Sequence, residues 1–171
     1  VWTKTWFDPA LEKEAAKSLL DVGCDVIAQH QDSPGPQEAA QEAGAYSVGY
    51  NTDMSAFAPQ SHLTAAIWNW SVYYTHIVEQ VKNGTWQSTS DWWGLEEGIV
   101  DIAPFGPMVK QEVQDKVLAA KDALTKGEMQ VFTGPIKNQA GEVAVADGET
   151  MADGDMLGMT WFVQGVVGST E

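Results

Sequence analysis

Two short runs of this sequence carry more hydrogen-bonding side chains than a loop needs. His30, Gln31, Asp32 and Ser33 follow an apolar stretch at 24–29, and Asn51, Thr52 and Asp53 follow another at 45–50. A third cluster, Trp6, Phe7 and Asp8, lies near the start of the chain. Acids, amides and hydroxyls together can grip the polar edge of a small ligand, because they offer donors and acceptors side by side. A His30–Asp32 pair also has the types needed for acid–base chemistry, but residues two apart on a strand end need not converge. The eight tryptophans are the second signal, and four of them sit in pairs at Trp68/Trp70 and Trp92/Trp93. Their flat rings and N–H donors suit stacking on aromatic or sugar ligands, although core filling claims many tryptophans in any folded chain.

Each candidate has a purely structural competitor. Asp8 is well placed to cap the helix that follows it, and Ser33 before Pro34 can cap as well. Asn51 and Asp53 belong to the types that close Asx turns after strands. Gln31 and Asp32 have no comparable capping role, which favours a ligand for them. Signs of catalysis are thin: the sequence holds no G-x-S-x-G, no P-loop and no G-x-G-x-x-G, and His30, His62 and His76 fit no zinc spacing. The expectation is a binding protein with no catalytic residue, no metal and no cofactor.

The elements that must position these residues follow from periodicity and punctuation. The pattern predicts a strand at 1–5, then a helix capped by Asp8, opened by Pro9 and closed by Gly23. Leu11, Ala15, Leu19 and Val22 are expected on its inner face, with Glu12, Lys13, Glu14 and Lys17 mostly outside. Strands are expected at 24–29, 45–50, 98–103 and 129–133, and helices at 36–43, 64–81 and 109–126. A hairpin turn is expected at "NQAGEV" (138–143) and a late strand in "TWFVQGVVG" (160–168). Strands alternating with helices predict an α/β fold with a parallel sheet and helices on both faces. In such sheets ligands bind outside the carboxyl ends of the strands. The three polar clusters fall at those ends and define one shared rim.

The composition narrows the partners. Nine basic residues, all Lys, face 24 acidic ones for a formal charge of −15 over 171 residues. A chain without Arg lacks the planar fork for bidentate phosphate binding, and no basic footprint exists for nucleic acid or an anionic membrane surface. The lone Cys24 has no internal disulfide partner and is expected to be a buried packing residue. The first residues read as a strand already under way, consistent with a mature, trimmed or partial chain.

The order "WFDPALEKEAAKSLLDVGCDVIAQHQDSPGPQEAAQEAGAYSVGYNTDMSAFAP", then "HLTAAIWNWSVYYTHIVEQVKNGTW" and "VFTGPIKNQAGEV", resembles the basic membrane protein family. These are substrate-binding proteins of ABC importers, related to bacterial purine-nucleoside receptors. The resemblance implies one lobe of a type I periplasmic-binding-protein (Venus-flytrap) fold. Residues 1–134 would be the ligand-binding lobe and 135–171 a hinge-crossing and closing segment, with a first lobe lying elsewhere in the protein. It implies a purine ligand, ABC permease subunits as partners, and a periplasmic or extracellular location, with or without a lipid anchor. Family members place an acid on the ligand's ribose from a "G-V-D-x-D" strand end, where this chain reads Gly49-Tyr50-Asn51-Thr52-Asp53. Nucleoside-binding relatives carry a Lys where this chain has Trp68. Losing an acid and a Lys while gaining a stacking ring favours a bare base, adenine above all, over a nucleoside. The ligand-binding set expected is Trp6, Asp32, Ser33, Asn51, Asp53, Trp68 and Trp70, with Trp68 in the first turns of the 64–81 helix. A nucleoside-acting enzyme and a ligand-sensing domain without transport are the competing classes.

Overall fold

The structure, a computed structural model, describes residues 1–169. Helix α1 (Pro9–Asp21) starts where its sequence asks it to: Asp8 is extended, and its Oδ1 accepts the Leu11 N–H at 3.0 Å. Its buried stripe is rotated from the expected one. Leu11 and Val22 are exposed, while Ala16, Leu19 and Leu20 pack with Ile27, Ala39 and Ala40. Glu12, expected outside, is 1% exposed. The first turn of α1 faces another loop of the protein, so helical periodicity alone assigned Glu12 to the wrong side.

Strand β1 (Val26–Ala28), helix α2 (Gly35–Glu42) and strand β2 (Tyr46–Asn51) follow as expected to within two residues. Cys24 corrects the reading of a packing residue: it is exposed, because it belongs to the turn closing α1, where its N–H bonds Leu19 O, and not to the sheet. Strand β3 (His62–Trp68) then pairs parallel to β2, with Gly49 opposite Ala65 and Asn51 opposite Ile67. This corrects the expected helix from 64. Thr64–Ala65–Ala66 favours a helix locally, but pairing with β2 puts Ala65, fully buried, across from a glycine, and tertiary contact overrides propensity. Helix α3 (Trp70–Asn83) begins only after Asn69 and stops at Gly84, which takes the left-handed φ of 67°.

Strand β4 (Val100–Ile102) runs antiparallel to β3, so the order is β1-β2-β3-β4 with three parallel strands and one reversed edge. Helices α1 and α2 pack on β1 and β2. Helix α3 and helix α4 (Gln111–Thr125) contain no fully buried residue. Residues 1–5 form no strand, nor do 129–133, where only Thr133 bridges to Thr150. The expected hairpin is present: β5 (Ile136–Lys137) and β6 (Val143–Val145) are antiparallel, with Gly141 at φ 84° in the loop. The late strand reduces to a bridge between Val163 and Asn138, and a short helix, α5 (Asp153–Leu157), precedes it.

By compactness the chain divides into Val1–Lys121 and a unit from Asp122 onward. The Gly134–Pro135 junction, a cis peptide bond where the sequence placed its boundary, lies inside the second unit. The second unit holds a cavity of about 420 Å³ lined by Val145, Met151, Met159 and Trp161, with Glu149 and Asp155 at its wall.

Candidate functional site

Because β1, β2 and β3 are parallel, their carboxyl ends lie along one edge of the sheet. The rings that follow these strands form a row there. His30 lies edge-on to Trp6 at 5.8 Å and to Tyr50 at 4.3 Å, and Tyr50 lies edge-on to Trp68 at 6.0 Å. These are the T-shaped arrangements that aromatic quadrupoles favour. The row crosses all three strand ends, from exposed Trp6 to half-buried Trp68. Trp68 is the last residue of β3, not a helical residue, and that is what brings it to the rim. His30 and Tyr50 are the rim members that the expected binding set left out. Their place at the ends of the apolar stretches was the signal that could have found them.

The polar side of the rim is tied together across two strands. Asn51 Nδ2 donates to Asp32 Oδ1 at 3.2 Å. Asn51 sits at φ 73°, a left-handed conformation that asparagine tolerates better than most residues and that often marks functional positions. With one N–H given to Asp32, its side chain retains a second N–H and a carbonyl oxygen.

The loop carrying Asp32 is braced from behind. Asp32 N–H bonds Trp6 O at 3.1 Å, and Gln31 Nε2 bonds Thr3 Oγ1 at 2.6 Å. Gln29 Nε2 donates to Gln31 O and Ser33 O at 2.9 and 2.8 Å, while the buried Oε1 atoms of Gln29 and Gln31 have no hydrogen-bond partner. Ser33 is fully buried; its Oγ donates to Glu12 Oε2 and accepts the Gly35 N–H at 3.3 Å. Ser33 therefore faces the interior behind the rim.

Asp53 closes the Asx turn that its type allowed: its Oδ1 accepts the Ser55 N–H at 2.9 Å, and that bond holds its carboxyl below the usual value. It adds a negative charge beside the rim. Trp70 opens α3 and stacks on Tyr74 at 5.9 Å with planes 21° apart, in a pair of its own. Trp93 packs edge-on to Tyr73 and His76 at 5.2 and 4.8 Å. Tyr73 also donates its hydroxyl to Asp91, which pushes its pKa up. Of the seven expected residues, the structure brings Trp6, Asp32, Asn51 and Trp68 together. It sets Ser33 behind them, Asp53 in a neighbouring turn and Trp70 in its stack. Among the described residues no group of three His, Cys, Asp or Glu could hold a metal. No helix there is long and apolar enough to cross a membrane.

The rim combines rings, amides and acids, and the chain holds no Arg to grip a phosphate bidentately. Known proteins agree with that architecture. A purine-binding protein of Brucella abortus (strain 2308) is 40% identical over 166 residues, 97% of this chain and 47% of that protein. A Haloferax volcanii protein, named for glucose binding by an ABC transporter, is 41% identical over 133 residues, 78% of this chain and 34% of its own. A solved ABC transporter solute-binding protein from Conexibacter woesei DSM 14684 superposes with a TM-score of 0.61 at 25% identity, covering 77% of this chain and 45% of that one. The chain thus spans about half the length, or less, of the relatives it matches. The Bmp profile, described as ABC transporter substrate-binding protein PnrA-like, matches residues 1–132. The four-stranded α/β sheet with its rim is accordingly one lobe of a periplasmic-binding-protein fold, and the chain belongs to the Bmp family of PnrA-like ABC transporter substrate-binding proteins.

Proposed function

We propose that this chain is the second lobe of an extracytoplasmic receptor that captures a purine base and delivers it to an ABC permease. The row Trp6–His30–Tyr50–Trp68 beside the Asn51–Asp32 pair carries the reading. The rings offer stacking surface, Asn51 offers one donor and one acceptor, and Asp32 accepts from a ligand N–H. An adenine edge, with an amino donor beside ring-nitrogen acceptors, matches that set. Asp53 in its neighbouring turn and Trp70 in its stack on Tyr74 would join the site on ligand binding, and Ser33 supports the rim from behind. The chain has no Arg to grip a phosphate bidentately, and Asn51 stands where related receptors carry the first acid of their ribose-binding motif, so a bare base is favoured over a nucleoside. The name of the Brucella relative supports a purine. A first lobe would close the cleft, since one rim cannot bury the roughly 70–90% of ligand surface usual at small-molecule sites. Residues 135–171 would form the hinge-crossing segment, and the protein would sit on the outer face of a bacterial membrane, with or without a lipid anchor.

Isothermal titration of the full two-lobed protein with adenine, guanine, adenosine, guanosine and glucose tests this. Adenine should bind with a dissociation constant of roughly 1 μM or tighter. The name of the Haloferax relative makes a sugar the second reading, and glucose binding with silence across the purines would establish it. Conversion of adenosine to adenine, followed by chromatography, would move the protein to the enzymes.

A further inference from the structure

Glu12 is a carboxylate buried to 1% exposure, and its neighbour Lys13 pairs instead with Glu38 and Glu42. Its partners are the two segments that flank the rim. Glu12 Oε1 accepts the Asp8 N–H at 2.8 Å, two residues after Trp6. Glu12 Oε2 accepts the Ser33 N–H at 3.3 Å and the Ser33 hydroxyl at 2.5 Å, one residue after Asp32. Between these ends runs the direct bond from Asp32 N–H to Trp6 O. The fit behind the loop is tight as well: a Cβ on Gly35 would lie 2.7 Å from Pro9 O and 3.3 Å from Ser33 Oγ. A carboxylate taken out of water is costly unless it is fully hydrogen-bonded. Here its three bonds all go to chain that carries a rim residue.

We infer that Glu12 is a positioning residue for ligand binding: its carboxylate locks the Trp6 segment to the Asp32 loop and so sets the spacing between the stacking ring and the polar grip. The inference rests on the rim being the ligand site. Glu12 itself touches no ligand. Trp6 is largely exposed and lies in a segment without regular secondary structure, so its place against Asp32 depends on few bonds: its own carbonyl to the Asp32 N–H, Thr3 to Gln31, and the Glu12 strut. Asn51 then meets an Asp32 whose position is already fixed, and less ordering is left for the ligand to impose.

The test uses the full two-lobed protein with 5-fluorotryptophan in place of tryptophan, the Trp6 resonance being assigned with Trp6→Phe. Glu12→Ala should shift the Trp6 resonance, leave the Trp93 resonance in place, and weaken adenine binding tenfold or more. Glu12→Gln keeps the acceptor for the Asp8 N–H but turns an amide N–H towards the Ser33 N–H, and should bind adenine more tightly than Glu12→Ala and more weakly than the parent. Should Glu12→Ala fail to fold, Ser33→Ala removes one bond of the strut and should still weaken binding and move Trp6. Ala16→Gly loosens the same helix away from the strut and should leave affinity unchanged. An unmoved Trp6 resonance in Glu12→Ala or Ser33→Ala overturns the inference, as does an equal loss of affinity in Ala16→Gly. A parent that binds no purine refutes the proposed ligand, while the fluorine shift still reports on the strut.

Discussion

Trp68 shows at the scale of one residue how a wrong element and a right position can coincide. Its sequence placed it in a helix near the rim; the structure ends a strand with it, and the strand end is the rim. Its contact with Tyr50 is edge-on at 6.0 Å and its ring is only half buried. Trp68→Ala should therefore weaken purine binding by about 1–3 kcal/mol, as for a base stacked on an aromatic ring, and barely move the melting temperature. Calorimetry and a thermal melt on the same variant separate the two effects. A loss of about 3–5 kcal/mol of stability would mark Trp68 as core instead. Asp53 makes a different residue-scale prediction. The Ser55 N–H lowers its folded pKa from 3.8, so the turn's contribution is complete above about that pH and disappears as pH falls through the lower folded value. Asp53→Asn keeps an oxygen for the Ser55 N–H and should remove that acid limb from the Ser55 amide shift, read by NMR titration.

Elements were legible where their signals were local. Asp8, Pro9 and Gly23 marked both ends of α1, and "NQAGEV" marked the hairpin, because caps and turns are decided by a few neighbouring residues. Strand β3 was illegible because Ala65 and Ala66 are helix formers, and only the facing Gly49 makes a small strand residue useful there. The site followed the same division. Asp32 and Asn51 were visible as clusters, but Glu12 looked like one of several outward charges, and nothing local tells a charge on a first turn that it will meet Ser33. Gly35 carries the element-scale prediction. An added methyl would strike Pro9 O, a backbone atom of α1, so Gly35→Ala must shift α2 or the loop before it. It should cost about 1–3 kcal/mol of stability by chemical denaturation and weaken adenine binding alongside. Asp8→Ala should cost about 0.5–2 kcal/mol through the lost Leu11 cap alone.

For the whole molecule, a formal charge of −15 makes self-repulsion a property of the fold. Raising ionic strength from 0.01 to 0.15 M shortens the screening length from about 30 to about 8 Å. The melting temperature should rise with added salt, while the affinity for a neutral purine stays nearly flat; a strongly salt-dependent affinity would point to a charged ligand. The reversed edge strand β4 has a further consequence at this scale. The chain leaves the sheet at Trp68 and returns at Val100, directly across the ladder, and the Asn69 N–H bonds Ile99 O at 2.7 Å. Everything from Trp70 to Gly98, α3 included, is one excursion whose two feet are fastened together beside the rim. Loop closure grows only slowly with length, about 0.6 kcal/mol per doubling. Evolution can lengthen, trim or redecorate this excursion almost without cost to the strands beneath it. The surface that this excursion carries can thus diverge from one relative to another while the rim beside its feet stays as it is.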